Sequence, residues 1–187
     1  MQTTTTPTLT VPLTASADDE PSPSKVAASP EVVTPHYPVS LTAYNAVPSQ
    51  TDGDPSTTAS GMPSNPEVVA ARSRDLASKL PFGTIIALER TAKDTPRCRF
   101  SQVDHLIGYR VIEDTMDSRW TNKIDVLFNS NDTVQVEGRD TNPSVALGVC
   151  DQVTVRVVGH IATGRMPKTQ AELQTMFSDT TISLAMR

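Results

Sequence analysis

The sequence lacks three features that identify common classes of protein. It contains no run of about 18 apolar residues, so no transmembrane helix is expected. Its net charge is −5 and its Lys and Arg residues are scattered, which argues against the clustered basic surface of a nucleic-acid-binding protein. Residues 1–30 lack the basic start and apolar core of a secretory signal, so no export signal is expected there.

Cysteine and aromatic residues are also scarce. The two cysteines, Cys98 and Cys150, are too few for a disulfide scaffold and lack the spacing of metal ligands. We interpret them as two buried or half-buried thiols. The alternative is a single disulfide, and the distance between the two Cα atoms decides between the two interpretations. His36, His105 and His160 also lack metal-ligand spacing, so neither a metal nor a cofactor is expected. With only 4% aromatic residues, the core must consist mainly of Val, Ile, Leu and Ala.

The N-terminal segment has the composition of a linker. Half of the first 40 residues are Thr, Ser or Pro. Such a segment buries too little apolar surface to offset the entropy lost on ordering. We therefore predict a disordered or extended linker or arm over residues 1–38, followed by one domain over residues 39–187 with a C-terminal extension from residue 162. The alternative is an ordered arm that packs on a protein partner.

The rest of the chain consists of short β-type segments between polar loops. Apolar and alternating patterns predict strands at residues 39–44, 68–71, 85–89, 106–112, 124–128, 133–137 and 153–159. Residues 45–61 are predicted as a long loop, residues 90–104 as a surface excursion, residues 167–177 as a short helix and residues 181–186 as a final strand or tail. Short strands, long loops and little helix predict a small all-β barrel.

Aspartates stand at the ends of several predicted strands. Asp114 follows one strand closely and Asp125 lies near the start of the next. If these strands are adjacent, both carboxylates lie at one rim, where like charges raise at least one pKa. A carboxyl group that stays protonated near neutral pH can donate a proton to a leaving group, as cleavage of a glycosidic bond requires. The alternative is that these aspartates, together with Asp75 and Asp117, only cap turns.

Several ordered pieces of the sequence resemble the three-aspartate (3D) domain family. They are Thr42-Ala43-Tyr44, Thr58-Ala59-Ser60-Gly61, Asp75 followed by Leu80-Pro81-Phe82-Gly83-Thr84, Glu113-Asp114-Thr115, and Ile124-Asp125-Val126. This family is related to the catalytic domain of membrane-bound lytic transglycosylase A and to the stationary-phase muralytic enzymes. The resemblance extends over residues 39–160 and implies a six-stranded double-psi β-barrel.

The resemblance also implies an activity. Asp75, Asp114 and Asp125 would be the three signature aspartates, with Asp125 as the general acid and then the general base. The enzyme would cleave the β-1,4 bond between N-acetylmuramic acid and N-acetylglucosamine in peptidoglycan strands. The C6 hydroxyl of N-acetylmuramic acid would be the nucleophile, and Asp114 would shape the pKa of Asp125. This activity implies a location outside the cell, in the cell envelope or on a virion surface.

One segment departs from the family pattern. The family's Gly-Gly-Ala-Ile-Lys-Gly after Asp-Thr is here Met116-Asp117-Ser118-Arg119-Trp120-Thr121. Side chains at positions where glycine lets the backbone approach a sugar would narrow the groove. The alternative function is therefore a non-catalytic glycan-binding or structural module. Trp120 either stacks on a sugar ring or packs as a lid, and we expect the substrate-binding residues to be Thr42, Tyr44, Thr58, Trp120 and Lys123.

Overall fold

A closed barrel of six strands forms the centre of the chain. The structure is a computed structural model and describes residues 34–162 and 164–176. Its strands are β1 (His36–Asn45), β2 (Val69–Arg72), β3 (Thr84–Glu89), β4 (Tyr109–Thr115), β5 (Lys123–Phe128), β6 (Val134–Val136), β7 (Arg139–Thr141) and β8 (Cys150–His160). The barrel has the order β1-β5-β2-β4-β3-β8 and closes between β8 and β1. The predicted all-β barrel is confirmed.

The barrel combines two parallel strand pairs with four antiparallel pairs. β1 pairs in parallel with β5, and β2 pairs in parallel with β4. The four remaining pairs, β2 with β5, β3 with β4, β3 with β8, and β8 with β1, are antiparallel. The strands of each parallel pair are not consecutive in the chain, as parallel pairing requires, because a direct hairpin joins only antiparallel strands.

The side chains of the barrel strands separate into an apolar face and a face with polar groups. Leu41 of β1 and Ile124 of β5 belong to the largest hydrophobic cluster. Because successive residues of a strand point to opposite faces, Thr42 and Asp125 lie on the other face. The site described below is built on this second face.

A helix replaces part of the predicted surface excursion. α1 (Phe100–Ile107) buries Phe100, Val103 and Ile107 on one side. Their spacing of three and four residues is that of one helix face, so the end of the predicted surface excursion, from Phe100 to Asp104, is instead part of a helix that packs on the core. The strand predicted from Leu106 begins instead at Tyr109. Gly108, with a φ of +56°, separates the helix from the strand.

The segment between β5 and β8 forms a small satellite on the barrel. β6 was predicted, but it pairs only with β7 in a separate two-stranded sheet. The following helix α2 (Pro143–Leu147) was not predicted. Asn142 caps it by accepting a hydrogen bond from the Ser144 N–H (3.0 Å), and Pro143 occupies the first turn, where a missing N–H costs nothing.

The two cysteines are joined. Cys98 and Cys150 form a disulfide with a Cα separation of 4.7 Å, so the interpretation as two thiols is wrong and its alternative is correct. The end of α2 brings them together, because the Val149 N–H donates to the Arg97 carbonyl (2.8 Å). This contact joins segments 52 residues apart, which spacing along the sequence does not reveal.

The C-terminal helix is confirmed over residues 170–176. Gln170 fastens it to the barrel, since its side chain accepts from the Tyr109 N–H (3.0 Å) and donates to the Tyr109 carbonyl (2.7 Å). Residues 1–33 of the predicted arm and the predicted final strand at residues 181–186 lie outside the described residues. None of the helices that the structure describes combines the length and apolarity needed to cross a membrane.

Candidate functional site

Two of the predicted site aspartates lie in one row of the barrel sheet. Asp125 of β5 is opposite Ala71 of β2, and Asp114 of β4 is opposite the same Ala71. Thr42 of β1 is opposite Asp125 on the other side. The strands of Asp114 and Asp125 are therefore not neighbours, because β2 lies between them. Since the intervening residue is alanine, only a methyl group separates the two carboxylates along the row.

Asp125 is held in a form suited to proton transfer. Burial raises its pKa to about 6, although the hydroxyl of Thr42 and the charge of Lys123 favour ionisation. Thr42 Oγ1 donates to Asp125 Oδ1 over 2.8 Å. The nearby charge of Asp114 raises the Asp125 pKa further. A carboxyl group with such a pKa exchanges its proton readily near neutral pH.

Asp114 is fixed by three donors. Tyr44 Oη donates to Asp114 Oδ2 over 2.7 Å, and the backbone N–H groups of Ala59 and Thr115 donate to Oδ1 over 3.0 and 2.8 Å. Burial and the Asp114 charge raise the pKa of Tyr44, so the phenol stays protonated and donates. Both oxygens of Asp114 are thus used as acceptors.

Asp114 and Asp125 line an open groove of about 940 Å³. The loop after β1 contributes hydroxyl and carboxylate groups to its lining: Ser49, Thr51, Asp52, Asp54, Thr57 and Thr58. The segments after β2 and β4 contribute cationic and aromatic groups: Arg74, Phe82, Arg119 and Trp120. The groove is therefore polar, with carboxylates along the loop and with both arginines and Asp117 along the other segments.

Trp120 presents an aromatic ring at the groove. It is 39% exposed, so it does not pack down as a buried lid. Lys123 Nζ lies 4.0 Å from the ring centroid and Arg119 Cζ lies 5.2 Å from it. These contacts are within the range of cation–π attraction and restrain the indole. Lys123 is thus placed beside Trp120 and close enough to Asp125 to lower its pKa.

Asp75 is not among the residues that line the groove. Its Oδ1 and Oδ2 accept hydrogen bonds from the Asn122 N–H over 3.2 and 3.0 Å. The hydrogen bond with the Ser73 hydroxyl lowers the Asp75 pKa, and the hydrogen bond from the Asn122 amide lowers it by a smaller amount. Asn122 has a φ of +50° and directly precedes β5. Asp75 therefore braces the turn from which the strand of Asp125 begins.

The remaining predicted contact is Thr58, which lines the groove. Its hydroxyl lies 3.0 Å from that of Ser60 and donates to the Met62 carbonyl over 3.0 Å. These bonds shape the turn that directs the Ala59 N–H to Asp114. Backbone donors such as Ala59 carry no side-chain signature, so sequence analysis missed this one. It also missed Arg74 and Phe82, which no spacing pattern distinguishes from ordinary surface residues.

The described part of the chain contains no cluster of metal-ligating side chains. Within residues 34–162 and 164–176, no group of three or more His, Cys, Asp or Glu side chains is arranged to hold a metal ion. The side chains of the groove itself offer proton transfer by a carboxyl group next to a second, fixed carboxylate.

The sequence matches no protein-family model and no curated protein. The function has to be inferred from the groove itself.

Proposed function

We propose that this chain is a lytic transglycosylase that cleaves peptidoglycan strands, with Asp125 as the general acid and base. The observation that carries the proposal is Asp125, a carboxyl group in an open groove whose pKa is raised to about 6 by burial. That value lets the same group donate and then recover a proton near neutral pH. The pairing of Asp125 with Asp114 across Ala71 adds a second charge to the same site.

The reaction needs one mobile proton. Asp125 donates its proton to the glycosidic oxygen, the bond from that oxygen to C1 of N-acetylmuramic acid breaks, and the leaving sugar departs as an alcohol. The Asp125 carboxylate then accepts the proton of the C6 hydroxyl as O6 forms a bond to C1. The product is a 1,6-anhydro sugar, Asp125 is protonated again, and no water is consumed.

The proposed route uses an internal nucleophile instead of water. A hydrolase of the common type needs a second carboxylate as a base or as a nucleophile. In the proposed route Asp114 supplies negative charge beside the positive charge that develops at C1. Its oxygens are held by hydrogen bonds from Tyr44 on one side and from Ala59 and Thr115 on the other.

The lining of the groove suits a glycan that carries carboxylates. Hydroxyl and carboxylate groups of the loop after β1 can exchange hydrogen bonds with sugar hydroxyls. The exposed face of Trp120 offers a surface for a sugar ring, and Arg74 and Arg119 offer charge to an anionic substituent. Muramic acid with its lactyl group and peptide stem combines these features.

The segment without glycine leaves the groove open. Met116, which stands where the family has glycine, is 8% exposed and packs in a hydrophobic cluster with Tyr44 and Leu127. Its side chain is thus mostly buried although it contributes to the groove lining, and Arg119 and Trp120 line the groove after it. This placement supports catalysis despite the departure from the family pattern.

The fold and the disulfide support the wider interpretation. The closed six-stranded barrel with two parallel pairs is compatible with a double-psi barrel of the 3D family and supports the proposed relation to it. The Cys98–Cys150 disulfide suits an oxidising environment such as the cell envelope or the outside of a cell. We therefore place the protein there.

The test is release of 1,6-anhydromuropeptides from purified sacculi. We expect the wild type to release them and Asp125→Asn to lose at least about 100-fold in rate, the usual contribution of general acid–base catalysis. Asp104→Asn is the matched control, because Asp104 is an exposed aspartate on α1. Equal activity of Asp125→Asn and the wild type would remove Asp125 from the mechanism.

A non-catalytic glycan-binding module is the second candidate, and the exposed Trp120 favours it. It predicts that the wild type sediments with insoluble peptidoglycan and releases no fragments. It also predicts that Trp120→Ala reduces the bound fraction.

A further inference from the structure

The pairing of β2 with β4 contains one extra residue on β4. Ala70 is opposite Ile112, whereas Ala71 is opposite Asp114, so Glu113 has no partner of its own. Such a β-bulge changes the direction in which the neighbouring side chains point. A regular ladder would place Asp114 opposite Arg72, one position out of the row that contains Asp125. The extra residue Glu113 therefore keeps Asp114 in that row.

Glu113 is also an unusual buried acid. It is 2% exposed, and its Oε2 has no hydrogen-bond partner among the described residues. Burial raises its pKa, while the Ser60 hydroxyl and the charge of His160 act in the opposite direction. Burial therefore favours the neutral form of the Glu113 carboxyl, while Ser60 and His160 favour its ionised form.

Glu113 and Asp114 hold two consecutive residues of the groove loop. The Ser60 N–H donates to the Glu113 carbonyl over 3.1 Å, and the Ser60 hydroxyl lies beside the Glu113 carboxyl. The Ala59 N–H donates to Asp114 Oδ1 over 3.0 Å. The turn at Thr58 joins both contacts, since its hydroxyl is 3.0 Å from that of Ser60.

We propose that Glu113 is a positioning residue, which acts through Ser60 to hold the Ala59 N–H on Asp114 and so fixes Asp114 beside Asp125. It touches neither substrate nor reacting atoms. Because the glutamine side chain has the same length and keeps an oxygen that can accept from the Ser60 hydroxyl, glutamine replaces Glu113 and alanine does not. The effect on turnover rests on the proposed function, whereas the effect on Ala59 does not.

Amide hydrogen exchange of Ala59 tests the positioning directly, without substrate. We expect Glu113→Ala to speed the exchange of the Ala59 amide by about tenfold, because the hydrogen bond from the Ala59 N–H to the Asp114 carboxylate is no longer held in place. Exchange in Glu113→Gln should stay within about twofold of the wild-type rate. The amide of Val126 in the core of β5 should keep its protection in both variants. Glu89→Ala is the matched control, because Glu89 pairs on the surface with Arg156 over 2.7 Å.

Unchanged Ala59 exchange in folded Glu113→Ala would overturn the proposal. If that variant does not fold, Ser60→Ala removes the contact without opening a cavity at Glu113. Faster Ala59 exchange in Ser60→Ala would then support the proposal, and exchange at the wild-type rate would overturn it.

Turnover gives the second readout. We expect Glu113→Ala and Ser60→Ala to lower kcat by about tenfold with little change in KM, and Glu113→Gln to restore kcat. A wild type that releases no anhydromuropeptide would reject the proposed function. The exchange of Ala59 would still decide the role of Glu113, so the two failures are distinguishable.

Discussion

Asp125 and Asp75 respond to their surroundings in opposite directions. Burial raises the pKa of Asp125 to about 6, whereas hydrogen bonds from Ser73 and Asn122 lower the pKa of Asp75. The ionised form of Asp125 therefore destabilises the fold, and that of Asp75 stabilises it. Asp125 has the property expected of a proton donor, and Asp75 that of a structural acceptor.

This difference predicts how stability depends on pH. An unfolded aspartate titrates near pH 3.9, so the contribution of Asp125 to stability is full below about pH 4 and is lost as pH rises towards about 6. The free energy of unfolding of Asp125→Asn, relative to that of the wild type, should therefore be higher at pH 7 than at pH 4 by up to about 3 kcal/mol. Urea unfolding at both pH values measures this difference. A difference between variant and wild type that is the same at pH 4 and pH 7 would contradict the prediction.

Asp75→Asn is the matched control. Its lowered pKa means that the ionised form contributes stability above the unfolded pKa, and that this contribution is lost as pH falls. Asp75→Asn should therefore be less stable than the wild type at pH 7, with a smaller difference in acid.

Thr42 sets the upper pH limit of the proposed activity. Its hydroxyl donates to Asp125 and lowers the pKa of that group. Thr42→Val removes the donor at nearly constant volume, so the Asp125 pKa should rise. The activity on sacculi, which needs the protonated acid, should then persist to higher pH than in the wild type. If the activity of Thr42→Val instead declines at the same pH as that of the wild type, or at a lower pH, this hydrogen bond does not lower the Asp125 pKa.

At the scale of residues, sequence motifs identified the side chains of the site but not the strand register that brings them together. Asp114, Asp125, Thr42 and Tyr44 stood in recognisable motifs, and the structure brings them together. The bulge at Glu113 was invisible, because a shift of one residue in register leaves the local pattern unchanged.

At the scale of elements, local patterns predicted the six barrel strands and the C-terminal helix but missed β7, α1 and α2. β3 reads Thr-Ile-Ile-Ala-Leu-Glu and is recognisable as a buried strand from its β-branched residues. α1 follows a stretch rich in charge and proline, which hid its spacing of Phe100, Val103 and Ile107. The position of β2 between β4 and β5 follows from long-range pairing, which no local pattern encodes.

Gly83 joins three elements of the barrel. Its N–H donates to the Ile112 carbonyl of β4 and its carbonyl accepts from the Ile161 N–H, both over 2.9 Å. Its φ is +86°, and a Cβ there would collide with the Ile161 carbonyl and the His160 ring. Gly83→Ala should therefore lower the free energy of unfolding by about 2–4 kcal/mol.

Gly138→Ala provides the comparison for Gly83. Gly138 has a φ of +79° but faces open space, so only the backbone term of about 1–2 kcal/mol applies. Urea unfolding of the two variants separates steric from conformational effects. A smaller loss for Gly83→Ala than for Gly138→Ala would contradict the packing described at Gly83.

At the scale of the whole molecule, one disulfide ties the segment before α1 to the first residue of the barrel strand β8. Cys98 precedes α1 and Cys150 begins β8, 52 residues later. Closing a loop of that length restricts the unfolded chain and stabilises the fold by about 4 kcal/mol. The double variant Cys98→Ser, Cys150→Ser should lose about this amount in urea unfolding.

Reduction of the wild type should produce a similar loss, and the double variant should not respond to reductant. Wild-type stability that is the same with and without reductant would contradict the expected contribution of the disulfide.

The most direct test of the central claim is the mass of the products released from sacculi in water enriched in oxygen-18. The wild type should release 1,6-anhydromuropeptides that contain no heavy oxygen, because the nucleophile is the C6 hydroxyl of the substrate, and Asp125→Asn should release almost none. Reducing-end muropeptides that carry oxygen-18 would show hydrolysis by water and would contradict the mechanism assigned to Asp125.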